Sequence, residues 1–553
     1  MVKKKIDISF SWTNGENDKR LINGEIPGGI PFKERKKPGK GVWHWTCRTG
    51  RGGAVASYDY DIGILGGGAA GLTVASGAAR LGAKTLLVEK EKNLGGDCLH
   101  FGCIPSKTLI RTAHVYHLIR NAGKFGLPAM EAGPVDFRPI AARIRSVIQR
   151  IQAHDSIQRI QAHDSEERFC GLGVKVEFGV PSFEDEQALR LNGRRISAKN
   201  WVIATGSSAA IPPVEGLAET SYLTNRDLYS FEKLPESMVI LGAGPVAAEM
   251  AQAFCRLGTR VIVIQRGGQI LRNEDKDMAD QIMEILTHEG VSFYLNASIL
   301  SARNLEGRKE VVIKEENGRT LTLRPETLLV ALGREANLKG LNLEGIGISY
   351  EEKGLKLDPR LRTVHKHIYG AGDVTGGFQF THAAGYEGSI VVSNAVFHLP
   401  RKTDYTFMPW CTYTHPELAS IGMNEKRAKA AGISYSVWVE EFQDNDRSLA
   451  EGEEAGRIKM ILNEKERPIG VQILGPRAGD LLGEWVAVLN GGVKNSTLAA
   501  AVHPYPTFGE INKRVAGAWL SQKIFSEKIK KGLRFFFQLK GRACGMDEGG
   551  RKE

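Results

Sequence analysis

The stretch Gly95-Gly96-Asp97-Cys98-Leu99-His100-Phe101-Gly102-Cys103-Ile104-Pro105-Ser106-Lys107 organises this chain of 553 residues. Two cysteines five positions apart cannot be joined across an ideal helix, because a rise of roughly 1.5 Å per residue carries their Cα atoms beyond the ~7 Å reach of a disulfide. The pair therefore needs a distorted first turn. Gly95, Gly96 and Gly102 permit that backbone, and Pro105 suits the opening turn of the helix that follows. A helix start also lowers a thiol's pKa, so Cys98 and Cys103 are suited to shuttle between disulfide and dithiolate.

The run Gly-Gly-x-Cys-x4-Cys-x-Pro-x-Lys resembles the redox-active segment of the class I pyridine-nucleotide disulfide oxidoreductases, the family of dihydrolipoamide dehydrogenase, glutathione reductase and mercuric reductase. The resemblance implies an α/β fold with two Rossmann-like dinucleotide-binding domains, one for FAD and one for NADP, plus an α+β dimerisation domain. It also implies a homodimer whose active site is shared across the interface.

Two glycine loops support this division. Tyr58-Asp59-Tyr60-Asp61-Ile62-Gly63-Ile64-Leu65 reads as an apolar strand running into Gly66-Gly67-Gly68-Ala69-Ala70-Gly71, followed by a helix and a second strand that ends at Glu89. Backbone N–H groups at such a helix start take a pyrophosphate, and an acid in the place of Glu89 accepts from ribose hydroxyls. Gly66, Gly68 and Gly71 are thus candidate FAD-binding positions. The strand Met238-Val239-Ile240-Leu241 enters a second fingerprint, with Gly242, Gly244 and, in the third-glycine place, Ala247.

The two loops calibrate each other. Glu89 lies 23 residues after Gly66, and Gln265 lies 23 after Gly242. Where the first unit has an acid, the second has neutral Gln265 followed by Arg266, with Arg272 a loop further on. An acid would repel a 2′-phosphate, whereas two guanidiniums grip it, so NADPH is expected over NADH. The spacing also resembles the arginine pair that glutathione reductases use for NADPH.

The resemblance assigns further roles. Ala204-Thr205-Gly206 closes the first pass of the FAD domain, Gly333 ends the nicotinamide domain, and Asp373 hydrogen-bonds the ribityl chain. Cys103 is the flavin-proximal cysteine, Cys98 attacks the substrate, and Lys107 pairs with Glu249 beside the flavin. The implied domains are 58–215 (FAD, first part), 216–335 (nicotinamide), 336–403 (FAD, return) and 404–528 (dimerisation), with a basic tail at 529–553.

Near the end, the family's His-Pro-Thr-x-x-Glu sends a histidine and its orienting glutamate into the partner subunit. Registered on Pro506-Thr507 and Glu510, that histidine's place is taken by Tyr505, and His503 lies two positions upstream. A tyrosine with a pKa near 10 is a poor base at neutral pH. Oxidation of dihydrolipoamide is then less expected than electron flow from NADPH outward, to a disulfide, a soft metal or a related small-molecule acceptor. Mercuric reductases also carry a tyrosine near this point, but end in adjacent cysteines where this chain offers only Cys544. An NAD-dependent dihydrolipoamide dehydrogenase and a non-catalytic FAD-binding redox sensor stay open as other readings. No metal-ligand cluster is expected.

The net charge of +11 invites a nucleic-acid reading until it is located. Residues 1–57 hold twelve Lys/Arg against five Asp/Glu, so no nucleic-acid partner follows from the rest. That segment lacks periodicity and reads as a disordered basic extension. Seven cysteines with one special pair, and no long apolar run, fit a cytoplasmic protein. Residues 148–156 recur unchanged as 157–165, read as a tolerated insertion. Residues 524–537 interleave apolar and basic side chains, which suits a helix packed on its own subunit or, less so, an anionic membrane surface.

Overall fold

The computed structural model describes residues 57–152 and 165–541, together with the backbone of two strands near the N-terminus. Those strands, Ser9–Thr13 and Val42–Thr46, pair antiparallel, with Ser9 opposite Thr46. Regular structure thus occurs within the segment expected to be disordered. Met1–Tyr58 and Asp59–Glu553 are separate compact units. Residues 157–164 of the duplicated nonapeptide, Cys47 and Cys544 lie outside the described residues.

In the larger unit, Tyr60–Leu65 lies parallel between Thr85–Glu89 and Arg194–Ile203. Val174–Phe178 extends one side of this sheet and Ile368–Gly370 the other. Such a sheet is covered on both faces, which is why its strands are near-continuous apolar runs. A Cβ on Gly63 would lie 2.1 Å from the Trp201 ring, so the glycine makes room for the largest core side chain. The helices Ala69–Arg80 and Thr381–Ala395 approach closely, since a Cβ on Gly388 would meet the Ala70 carbonyl oxygen at 3.0 Å.

The second parallel sheet has Ser237–Leu241 between Arg260–Ile264 and Thr327–Val330, with Ser292–Tyr294 outside Arg260–Ile264. The C-terminal domain is a five-stranded antiparallel sheet whose order runs Pro409–Thr412, Glu417–Gly422, Pro468–Gly475, Arg457–Asn463, Tyr435–Glu441. Helices Ala478–Asn490 and Glu510–Ile524 cover it through Trp485, Ile511 and Val515.

Buried charges tie these two sheets together. Lys459, 2% exposed, sends its Nζ to Asp275 (2.9 Å), Asp277 (3.0 Å) and Glu425 (2.6 Å). Burial works against its charge, but the hydrogen bonds to Glu425 and Asp275 prevail and hold its pKa above the ordinary lysine value. Neighbouring Glu274 accepts from Trp410 Nε1 (2.5 Å), Ser420 Oγ (2.7 Å) and Gln472 Nε2 (2.7 Å). Among the described residues no helix is long and apolar enough to cross a membrane.

Candidate active site

The redox stretch folds as two helices with a break between them. Gly95 (φ +108°) and Gly96 (φ +60°) turn the chain into the short helix Gly96–His100, and Cys103–Arg120 restarts after Gly102. A Cβ on Gly102 would sit 2.9 Å from the Asp97 carbonyl oxygen. This kink is what brings the two cysteines within hydrogen-bonding reach of each other.

Cys98 and Cys103 are free thiols here. The Cys98 S–H pulls the Cys103 pKa down to about 6, helped by the Thr381 hydroxyl and the Lys107 ammonium against the cost of burial. The same contact, with burial, pushes Cys98 far upward. The hydrogen bond from Cys98 to Cys103 thus favours sharing one proton within the pair, with negative charge drawn towards Cys103. Thr381 Oγ1 lies 3.5 Å from Cys103 Sγ, at the first turn of its helix, where partial positive charge favours a thiolate.

Lys107 Nζ donates to Glu249 Oε2 at 2.8 Å, and Glu249 Oε1 accepts from Tyr413 N at 2.9 Å. The Lys107 ammonium also lies over the Tyr413 ring, 4.3 Å from its centre. Glu249 comes from the helix Pro245–Leu257 of the second dinucleotide unit, so this ion pair joins the two units at the thiols.

These groups line a cavity of about 1060 Å³ with Gly66, Gly68, Glu89, Thr205, Gly206 and Asp373. That is at the top of the ~300–1,000 Å³ usual for small-molecule sites, as an elongated dinucleotide requires. The glycine loop fits such a ligand. Gly66 takes φ +109°, and a Cβ there would meet Ala204 O at 2.3 Å, while a Cβ on Gly71 would meet Gly66 O at 1.9 Å. The helix start is thereby held bare and close. Glu89 is more constrained than the sequence suggests, because its oxygens already accept from Gly67 N (2.6 Å) and Glu91 N (2.9 Å); second lone pairs remain for a ribose.

Asp373 accepts from Ser207 Oγ, which in turn accepts from Arg334 Nε at 2.7 Å. Arg334 also reaches Asp97 Oδ2 at 2.7 Å, and Asn225 Nδ2 donates to the same oxygen at 3.0 Å. Asp97 of the redox stretch is thus fastened by two side chains from the 216–335 segment. Thr205 Oγ1 donates to Asn337 O at 2.7 Å, and the Gly206 carbonyl oxygen accepts from Asn337 N at 2.9 Å. Glu387, fully buried, is pushed up to about 7 by desolvation and accepts from Gly372 N (2.7 Å) and Tyr405 OH (2.6 Å).

Other expected positions lie apart from this cavity. Gly242 (φ +99°) is packed so that a Cβ would meet Ala331 O at 2.5 Å, whereas Gly244 faces open space and Ala247 is buried. Gly333 takes φ +125° and its carbonyl accepts from Ala210 N at 3.0 Å. Arg266 and Arg272 are both exposed, and their guanidiniums have no partner among the described residues.

Tyr505, 70% exposed, donates to Asp446 Oδ2 at 2.9 Å, which pushes the phenol higher still. His503 Nε2 lies 3.0 Å from Glu484 Oε1, and Glu510 opens the helix Glu510–Ile524. None of these three lines the thiol cavity of its own protomer.

Sequence reasoning missed Thr381 and His382. His382 lines the cavity beside Thr381 and stacks on Phe380, ring centres 5.3 Å apart. Its Nε2 meets Pro409 O at 2.8 Å. A neutral imidazole must donate to that carbonyl, which leaves Nδ1 as a lone pair without a partner among the described residues.

Two clusters have metal-ligand side chains. Asp275, Asp277 and Glu425 hold the Lys459 ammonium instead. His114 and His415 stack with ring centres 4.1 Å apart, closer than the roughly 5 Å that two imidazoles on one ion at Zn–N ~2.1 Å would keep.

Comparison with known proteins agrees with this geometry. The family described as pyridine nucleotide-disulphide oxidoreductase matches residues 60–388, and its dimerisation domain matches residues 408–516. The chain belongs to the pyridine nucleotide-disulphide oxidoreductases. It is 32% identical over 479 residues to a mercuric reductase of Staphylococcus aureus, covering 86% of this chain and 84% of that protein. It is 33% identical over 459 residues to a dihydrolipoyl dehydrogenase of Bacillus subtilis, covering 82% and 96% respectively. The HOCl-induced flavoprotein disulfide reductase RclA of Escherichia coli superposes with a TM-score of 0.72 at 26% identity, over 83% of this chain and 99% of that one. The protein is therefore an FAD-dependent oxidoreductase that uses NAD(P)H and acts on sulfur groups, with a domain for homodimerisation.

Proposed function

We propose that the protein carries electrons from NADPH through FAD to the Cys98/Cys103 pair and on to a disulfide or soft-metal acceptor, in the manner of mercuric reductases. The observation that carries this reading is the placement of the hydrogen-bonded Cys98/Cys103 pair beside Thr381 Oγ1 (3.5 Å from Cys103 Sγ) and the Lys107–Glu249 ion pair (2.8 Å), in the cavity that the Gly66 loop also lines. Bound FAD supplies hydride acceptance from nicotinamide and two-electron reduction of the disulfide. Lys107 and Glu249 orient and balance charge beside Cys103, and the glycine loops hold the phosphates.

Two electrons break the Cys98–Cys103 bond, and one proton goes to Cys98. To attack an acceptor disulfide, Cys98 gives that proton to a base and forms a mixed disulfide, expelling one thiol that takes the proton up. The Cys103 thiolate then attacks Cys98 sulfur, the internal disulfide returns, and a second thiolate leaves. With Tyr505 a poor base, His382 Nδ1 is our assignment for the proton acceptor within the protomer. Tyr505 and Glu510 of the partner subunit complete the pocket; their distance from the protomer's own thiols supports this. The five described cysteines, all free, fit a cytoplasmic location.

Neutral Gln265 with the unpartnered Arg266 and Arg272 supports NADPH over NADH. Steady-state reduction of lipoamide, glutathione disulfide, Hg(II) and quinones with each nucleotide tests the reading. Turnover confined to NAD and dihydrolipoamide would replace it with a dihydrolipoamide dehydrogenase.

A further inference from the structure

The helix Glu527–Phe537 follows the last helix of the dimerisation domain, beyond the matched residues 408–516, and none of its residues is buried. At 3.6 residues per turn, Ile529, Leu533, Phe536 and Phe537 fall within an arc of roughly 100°. The opposite arc carries Lys528, Lys530, Lys531 and Arg534 against one acid, Glu527, with Phe535, 80% exposed, set among them. Phe536 is 76% exposed and Phe537 69%, and Leu539 and Lys540 continue the pattern past a left-handed Gln538. An apolar stripe of this size on an isolated helix calls for an occupant.

We propose that this helix docks the enzyme on an anionic lipid bilayer, lying in the plane of the interface with its Phe/Leu/Ile face in the acyl boundary and its cations on the headgroups. Charge decides between the occupants. Pairing with a second copy through the apolar stripe would leave the four cations in solvent with nothing gained from them, whereas an anionic headgroup layer covers the stripe and neutralises them as well, each Lys or Arg adding roughly fivefold to the partition coefficient. Packing on its own subunit, the first expectation from sequence, is not what the protomer shows.

The test is flotation of the full-length flavoprotein with vesicles of phosphatidylcholine alone or mixed with phosphatidylglycerol, alongside NADPH-driven quinone reduction and sedimentation in the same samples. The wild type should float with the mixed vesicles and release in high salt. Phe536→Glu with Phe537→Glu, and separately Lys528→Glu with Lys531→Glu, should lower partitioning about tenfold or more, with turnover and dimer mass unchanged. Failure to float with anionic vesicles at low salt, or equal flotation of both variants, overturns the proposal. Loss of the dimer in the phenylalanine variant overturns it too, assigning the face to a second copy. Because turnover is read separately, none of these results bears on the electron-transfer reading.

Discussion

Replacing Cys98 by alanine in the reduced protein should raise the Cys103 pKa and slow its alkylation at neutral pH. Cys103 sits at about 6, and the Cys98 S–H is the largest contributor to that depression. A thiol at about 6 is roughly 90% thiolate at pH 7, whereas one at the ordinary ~8.5 is about 3%. The Thr381 hydroxyl and the Lys107 ammonium remain, so the iodoacetamide rate at Cys103 should drop by between about threefold and thirtyfold. The assay is the rate of carbamidomethylation at Cys103, followed by mass spectrometry from pH 5 to 9, with the midpoint moving alkaline. A control has the opposite sign. Glu249 raises the Cys103 pKa, so Glu249→Gln should move the midpoint acid and leave Cys103 charged further down the pH scale. An unmoved midpoint in Cys98→Ala would refute the reasoning that the two thiols share one proton.

Other outcomes follow from separate parts of the molecule. Gly71→Ala puts a Cβ 1.9 Å from the Gly66 carbonyl oxygen, so the purified variant should be colourless or insoluble, read by absorbance at the flavin band. Arg266→Ala with Arg272→Ala should raise KM for NADPH about tenfold or more with NADH little affected, the loss expected for charge-assisted bonds to a phosphate. Lys459→Met leaves buried Asp275 without its counter-charge, with only the backbone N–H groups of Lys426 (3.0 Å) and Glu425 (3.3 Å) donating to it, at a cost of about 3–5 kcal/mol; thermal scans should show it, and Asp275→Asn added to it should recover part. His382→Ala should slow transfer to disulfides while anaerobic titration with NADPH still yields two thiols.

The redox stretch was legible because its chemistry is local. Three glycines and a proline within thirteen residues allow one backbone, and the broken helix at Phe101–Gly102 is the one they allow. The glycine fingerprints were legible for the same reason. Thr381 was not, because it lies 278 positions from Cys103, and nothing in Phe380-Thr381-His382 marks it until the sheet and two helices stack. Arg334 was visible as the residue after Gly333, but its reach to Asp97, 237 positions away, depends on how the two dinucleotide units close. The same holds for Glu387, whose carboxyl is raised by burial that no local pattern shows. The N-terminal strand pair failed expectation because its partners lie too far apart for hairpin signals.

The salt-bridged knot around Lys459 has a mechanical corollary. Asp275 and Glu274 sit just after the loop that carries Arg272, and both are sunk into the neighbouring sheet. Swinging the nicotinamide half outward would part Lys459 from Asp275 and strip Glu274 of its Ser420 and Gln472 donors, so this seam resists opening as a hinge.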